Sequence, residues 1–219
     1  GKRGSAPAFD PFEFMIQTCH EYGIECYAWI NPYRYHTSKN GTHGGGALDY
    51  EVTHPEWLMS GTTSNTVLNP AKKEVLQRIL DVTREIVTNY DVDGVVFDDY
   101  FYPQGGTAEN STAPDWADYQ ASGTSLSIGD WRRANINHMV GEVNKTIKSV
   151  KPYVCFGISP AGKSSPPNVE TEYGLPSVTS DWQYSQIYSD PLHWLKYQQL
   201  DFVSPQVYWV TDFRKLSKW

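Results

Sequence analysis

Two rhythms of apolar residues alternate along the chain, and their alternation predicts an α/β protein. Phe12, Met15, Ile16 and Cys19 return at helical spacing until Gly23 stops the run. Val75, Ile79, Val82 and Ile86 mark a second helix. Ile136, Val140, Val143, Ile147 and Val150 mark a third over 130–150, ended by Pro152. A shorter helix is expected over 192–199. Asp10-Pro11, Asn69-Pro70 and Asp190-Pro191 each set a capping side chain before a proline at a first helical position. Glu13 completes a pattern like a capping box. A short apolar run follows each helix, at 24–30, 92–97, 153–158 and 202–208, and reads as a strand. The run 92–97 is nearly continuous, as in a parallel strand covered on both faces. Helix and strand in alternation imply βα crossovers and a parallel sheet.

Polar and aromatic residues gather just past each strand's carboxyl end. Asn31, Pro32, Tyr33 and Arg34 follow the first, Asp98 through Tyr102 the second, Ser159 and Pro160 the third, and the last carries Gln206, Tyr208 and Trp209. An eight-fold βα barrel builds its site at that end. No GxGxxG follows a strand, which argues against a nucleotide-binding open sheet. Four strands are too few for a closed barrel, so a portion of one is expected, as a single domain over 1–219. Residues 35–68 and 103–129 show little periodicity and read as long loops overhanging that face. The run 41–46, rich in glycine, is expected to move.

Composition narrows the partners. Across 219 residues, 18 Lys+Arg against 25 Asp+Glu leave a net charge of −7, which disfavours nucleic acid or an anionic membrane surface. No run reaches the roughly 18 apolar residues of a membrane span. Eight Trp and 15 Tyr against 8 Phe favour aromatic rings with polar handles, which suit sugar binding as well as packing. Cys19, Cys26 and Cys155 lie in apolar segments without metal-ligand spacing, and free buried thiols are expected. The chain opens Gly1-Lys2-Arg3-Gly4 with no export signal and reads as a cut within a longer protein.

Asp98 and Asp99 are the leading catalytic candidates. Adjacent carboxylates at the end of a buried strand repel each other and lose hydration. As structural residues they would cap the loop and hold ion pairs; as functional ones they fit the acid or nucleophile of glycoside hydrolysis. That reaction needs two carboxyl groups roughly 5–5.5 Å or 6.5–9.5 Å apart. Sequence neighbours rarely meet this spacing, so the partner acid is expected elsewhere, with Glu170, Glu172, Asp181 and Asp190 as weaker choices. Trp29, Asn31 and Arg34 are candidate sugar contacts, Arg34 for a hydroxyl or carboxylate or to hold an aspartate in its charged form. Tyr100, Tyr102, Tyr208 and Trp209 are candidate stacking platforms, and Gln206 is an amide that must find a partner. Six scattered histidines without HxH or HExxH spacing leave metal binding a poorer reading, although Asp98-Asp99 suit Mg²⁺ or Ca²⁺. No GxSxG elbow occurs. No cofactor is expected.

Several blocks together resemble the bacterial glycosyl-hydrolase-like family 10. They include Phe9 through Phe14, His20 through Glu25, and Ala28-Trp29-Ile30-Asn31-Pro32-Tyr33-Arg34. Tyr90 through Pro103, Asp130 through Asn135, Phe156 through Pro160 and Ser204 through Trp209 follow in the family's order. The resemblance implies a TIM-type (β/α)8 barrel, with strands three to six present and two lying before Gly1 and two after Trp219. It implies an exported or lipid-anchored protein of the bacterial envelope (periplasm or secreted) that acts on polysaccharide, with peptide-free peptidoglycan strands as the best analogy. Half a barrel is expected to be inactive alone and to self-associate through its open edges. The rival reading is a non-catalytic carbohydrate-binding barrel.

Overall fold

The computed structural model describes residues 8–37, 46–60, 65–103, 105–162 and 182–208. Helix α1 (Pro11–Glu21) leads into strand β1 (Tyr27–Ile30). A small antiparallel sheet follows, made of β2 (Arg34–His36), β3 (Leu58–Ser60) and β4 (Thr66–Leu68), with the short helix α2 (Tyr50–Thr53) between β2 and β3. Then come α3 (Lys73–Asn89), β5 (Gly94–Phe97), α4 (Trp116–Ala121), α5 (Ile128–Val150) and β6 (Cys155–Ile158). Helices α6 (Trp182–Ser185) and α7 (Pro191–Lys196) precede β7 (Phe202–Val203).

The main sheet runs β1-β5-β6-β7, and every neighbouring pair in it is parallel. Strands adjacent in space in their chain order, with helices between, are successive staves of a βα barrel. The fold is therefore α/β, a partial TIM-type barrel. One face of the sheet, with Ala28, Val95, Phe97, Phe156 and Ile158, is sealed under helices. Val75 and Ile79 of α3 and Ile136, Met139, Val140 and Val143 of α5 supply the cover. The opposite face carries Tyr27 and Phe202, whose rings lie over Gly94 and Gly157 and meet edge to face at 5.9 Å. A Cβ at either glycine would occupy the space of the ring, so both positions must stay bare for the sheet's inner surface to close.

Hydrogen bonding fixes the lower end of the sheet. Asp93 accepts the Cys26 backbone N–H at 2.6 Å, and Asp201 accepts that of Phe156 at 2.7 Å. Each carboxylate thus pins a neighbouring strand where the ladder begins.

Helix starts agree with the sequence at two places and differ at two. Asp10 accepts from the N–H groups of Phe12 and Glu13, and Asp190 from that of His193. Asn69 instead accepts from Ala71, which closes a turn ahead of Pro70's successors, and α3 begins only at Lys73. Helix α5 starts two residues earlier than its apolar rhythm suggests. Ser127 is its cap, accepting from the Asp130 N–H at 3.1 Å and donating to Asp130 Oδ2 at 2.6 Å. Ser127→Ala is expected to cost about 1 kcal/mol, read as a lower urea midpoint.

The segment 35–68, expected as a loop, holds the small antiparallel sheet. Its strands are three residues each, too short for an alternation of polar and apolar positions to register. The main strands are also shorter than their apolar runs; β7 is two residues, and 204–208 leave the sheet except for a bridge from Gln206 to Ala161. The glycines at 41–45 lie outside the described residues. All three cysteines are free, with Cys26 buried and Cys19 and Cys155 half-buried. Among the described residues no helix is long and apolar enough to cross a membrane.

Candidate active site

Strand β5 is buried along its whole length and delivers Asp98 and Asp99 at its carboxyl end, 5% and 3% exposed. Backbone alternation separates them. Asp98 accepts Asn31 Nδ2 at 2.8 Å, from the end of β1. Asp99 Oδ1 faces Gln206 Nε2 at 3.5 Å, from the segment after β7. The pair therefore stitches three staves together at one rim. Gln206 also donates to the Ser159 carbonyl at 2.8 Å, and its own N–H donates to that of Pro160. The β6 end is thereby bound into the same cluster.

Burial pushes both carboxyls up from the ordinary 3.8. For Asp98 the Tyr100 N–H, the charge of Arg34, and the Trp29 and Asn31 side chains pull the other way and favour the anion. For Asp99 desolvation prevails and its carboxyl is pushed up to about 6. The neighbouring charge of Asp98 adds to the shift, and Gln206 and the Ala161 N–H oppose it. Asp99 is thus fitted to remain protonated at mildly acid pH, while Asp98, also pushed up by burial, has more groups around it that favour its anion, an inequality that suits the acid chemistry of acetal hydrolysis.

The remaining candidates sort by position. Arg34 is exposed, donates its backbone N–H to Asn31 Oδ1 at 2.9 Å, and sets its guanidinium 4.6 Å over the Tyr100 ring. Trp29 is 59% exposed on the uncovered face of the sheet. Trp29, Asn31, Arg34, Tyr100 and Gln206 thus stand around the two acids. Tyr208 is exposed, on the segment just beyond Gln206. Tyr102 does not fit the expectation of a sugar platform. It is fully buried, edge-on to Tyr188 at 4.9 Å and beneath the Arg132 guanidinium. Trp209, Glu170, Glu172 and Asp181 lie outside the described residues. Asp190 is engaged as the cap of α7.

Sequence reading missed the device that holds the acid-bearing loop. Arg132, on α5, is fully buried and binds Asp115 through two nitrogens at 2.8 and 2.6 Å. Its third nitrogen, Nη1, reaches the Thr107 carbonyl and the Tyr188 hydroxyl, and Nη2 also donates to the Ala108 carbonyl. Burial alone would disfavour the charge, and Asp115 outweighs it. Tyr188 is held there with φ at 56°, a left-handed conformation costly for a residue with a Cβ. The block Asp130 through Asn135 was visible in the sequence, but a charged residue inside a helix carries no sign of burial. Among the described residues no cluster of three or more His, Cys, Asp or Glu is placed to hold a metal.

The profile of the family described as "Glycosyl hydrolase-like 10" matches residues 1–217. Glycosyl hydrolase YngK of Bacillus subtilis (strain 168) is 35% identical over 224 residues, covering 97% of this chain and 41% of that protein. Glycosyl hydrolase DigH of Escherichia coli (strain K12) is 33% identical over 236 residues, covering all of this chain and 52% of that one. The chain spans about half the length of the curated relatives it matches. Among solved structures, alpha-L-fucosidase isoenzyme 2 from Paenibacillus thiaminolyticus superposes with a TM-score of 0.49 at 17% identity, over 75% of this chain and 24% of that one. The acids at the end of β5 sit in one of the blocks that carried the resemblance, and the match extends from end to end: the chain belongs to the glycosyl hydrolase-like 10 family.

Proposed function

We propose that this chain forms the acid-bearing part of a glycoside hydrolase that cleaves an O-glycosyl bond in a bacterial polysaccharide. Peptidoglycan strands freed of peptides are the first substrate to test, and the bacterial envelope is the matching compartment. The observation that carries the reading is the unequal pair at the end of β5. Asp99 is pushed up to about 6 by burial and by its neighbour's charge, while Asp98 is hydrogen-bonded by Asn31 as an anion would be. In this reading Asp99 gives its proton to the departing glycosidic oxygen. Asp98 supports the positive charge that develops on the sugar ring. Trp29, Tyr100 and Tyr208 offer ring faces to the sugar, and Arg34, Asn31 and Gln206 offer polar contacts. Among the described residues the other strand ends carry Asn31, Ser159 and Ser204 rather than acids, so the carboxylate that acts across the scissile bond comes from elsewhere in the full barrel.

Asp98→Asn and Asp99→Asn, made separately in the full-length protein, test this directly. Each is expected to lose release of new reducing ends from the glycan while still binding it. A parent protein that binds glycan without any turnover would instead make the barrel a carbohydrate-binding module. Loss of the parent's activity on chelation would indicate a metal-dependent hydrolase.

A further inference from the structure

Beside the acid pair, on the helix side of β1, lies a cavity of about 230 Å³ between β1, the small antiparallel sheet and α3. Ile30, Pro32, Ile79 and Val82 form apolar walls, and Asn31, the partner of Asp98, is at its edge. Two cations line this space, Arg34 from the start of β2 and Arg78 from α3. Arg78 gives its Nε–H to the Tyr50 hydroxyl at 3.1 Å, and that bond leaves its two terminal nitrogens for other partners. Among the described residues neither arginine has a carboxylate within ion-pair distance.

That absence is unusual here. The chain carries seven more acids than bases; Arg34 and Arg78 are both exposed, whereas the buried Arg132 is saturated by acceptors. Arg78, and Arg34 whose guanidinium rests on the Tyr100 ring at the cavity's edge, give an apolar hollow the donors for a planar anion. The hollow is smaller than the roughly 300–1,000 Å³ usual for a whole small-molecule ligand. It suits a substituent of the sugar better than the sugar itself.

We infer that this cavity is a specificity pocket for a sugar carboxylate, with Arg34 and Arg78 as its anion contacts. The inference rests on the proposed carbohydrate function of the neighbouring site and adds the class of sugar. The carboxylate would enter past Asn31, which places the acidic sugar next to the bond that the acid pair addresses. Two chemical sources fit: an ether-linked carboxylate, as on the muramic acid of peptide-free peptidoglycan, and the ring carboxylate of a uronic acid.

Binding decides the matter without turnover. Calorimetry on the full-length protein would compare peptide-free peptidoglycan strands with the same strands after their carboxyls are reduced to alcohols. A third arm uses oligosaccharides of alternating glucuronic acid and N-acetylglucosamine. At least a tenfold preference for one carboxylate-bearing glycan over the reduced strands is expected, and the preferred arm identifies the source. Arg78→Gln and Arg34→Gln should each bring that affinity down to the level of the reduced strands, with Arg78→Lys retaining part of it. Equal binding of intact and reduced strands, with no binding of the uronate, would overturn the pocket, as would arginine variants that weaken all glycans alike. Because affinity is read alone, a protein that binds acidic glycan selectively and cleaves none would refute the hydrolase reading and leave the pocket standing.

Discussion

Asp99→Asn is expected to reduce turnover by about 10²–10⁴-fold, the usual contribution of a positioned acid, and yet to stabilise the fold at alkaline pH. The sign follows from proton binding. The folded carboxyl is at about 6, and its ordinary value is 3.8. Between those values the native state holds the proton more tightly than the unfolded chain. Stability therefore falls as pH rises through the window of about 4 to 6. At pH 8 the cost of keeping Asp99 ionised and buried is fully present, roughly 3 kcal/mol by the size of the shift. Asparagine keeps the shape and an acceptor for Gln206 and carries no charge to desolvate. Thermal melts by circular dichroism should show the variant above the parent at pH 8 and level with it at pH 4. A variant less stable than the parent at pH 8 would mean that the site holds Asp99 as an anion.

Arg132→Met is expected to destabilise the fold by about 3–5 kcal/mol, the usual result of removing one partner from a buried ion pair. Asp115, fully buried, would lose both guanidinium bonds. The carbonyls of Thr107 and Ala108 and the Tyr188 hydroxyl would lose a donor as well. The loop from β5 to α4 would then slacken, and with it the rim where Asp98 and Asp99 stand. Replacing Asp115 with Leu in the same chain should recover much of the loss, because an uncharged pair has little to desolvate. Urea unfolding of the two variants measures both effects.

The parallel strands were legible because a stave covered on both faces must be apolar throughout, and 94–97 satisfies that without reference to anything distant. The acids were legible for the opposite reason, as charges placed where burial is certain. Asn31 and Gln206 announced themselves as polar groups at strand ends, and each does meet one of the acids. What escaped depends on contacts remote in sequence. Arg132 pairs with Asp115, 17 residues away, and with Tyr188, 56 away. Tyr102 looked like a rim residue from its place after β5, but the chain turns inward there and buries both Phe101 and Tyr102. Arg78 is an exposed charge on α3, and nothing in its sequence neighbourhood marks it out. Only the fold of the small antiparallel sheet over α3 turns it toward a cavity. Asn69-Pro70 misled for a local reason, since an asparagine side chain closes a turn as readily as it caps a helix.

Carbon-detected NMR titration of the two aspartate carboxyls, assigned by comparing the parent with Asp98→Asn and Asp99→Asn, is the most direct measurement of the unequal pair. A midpoint near 6 for Asp99, with Asp98 releasing its proton at lower pH, is the expected outcome. Two carboxyls that both titrate near 3.8 would contradict the assignment, because no proton donor would then stand ready at the strand end.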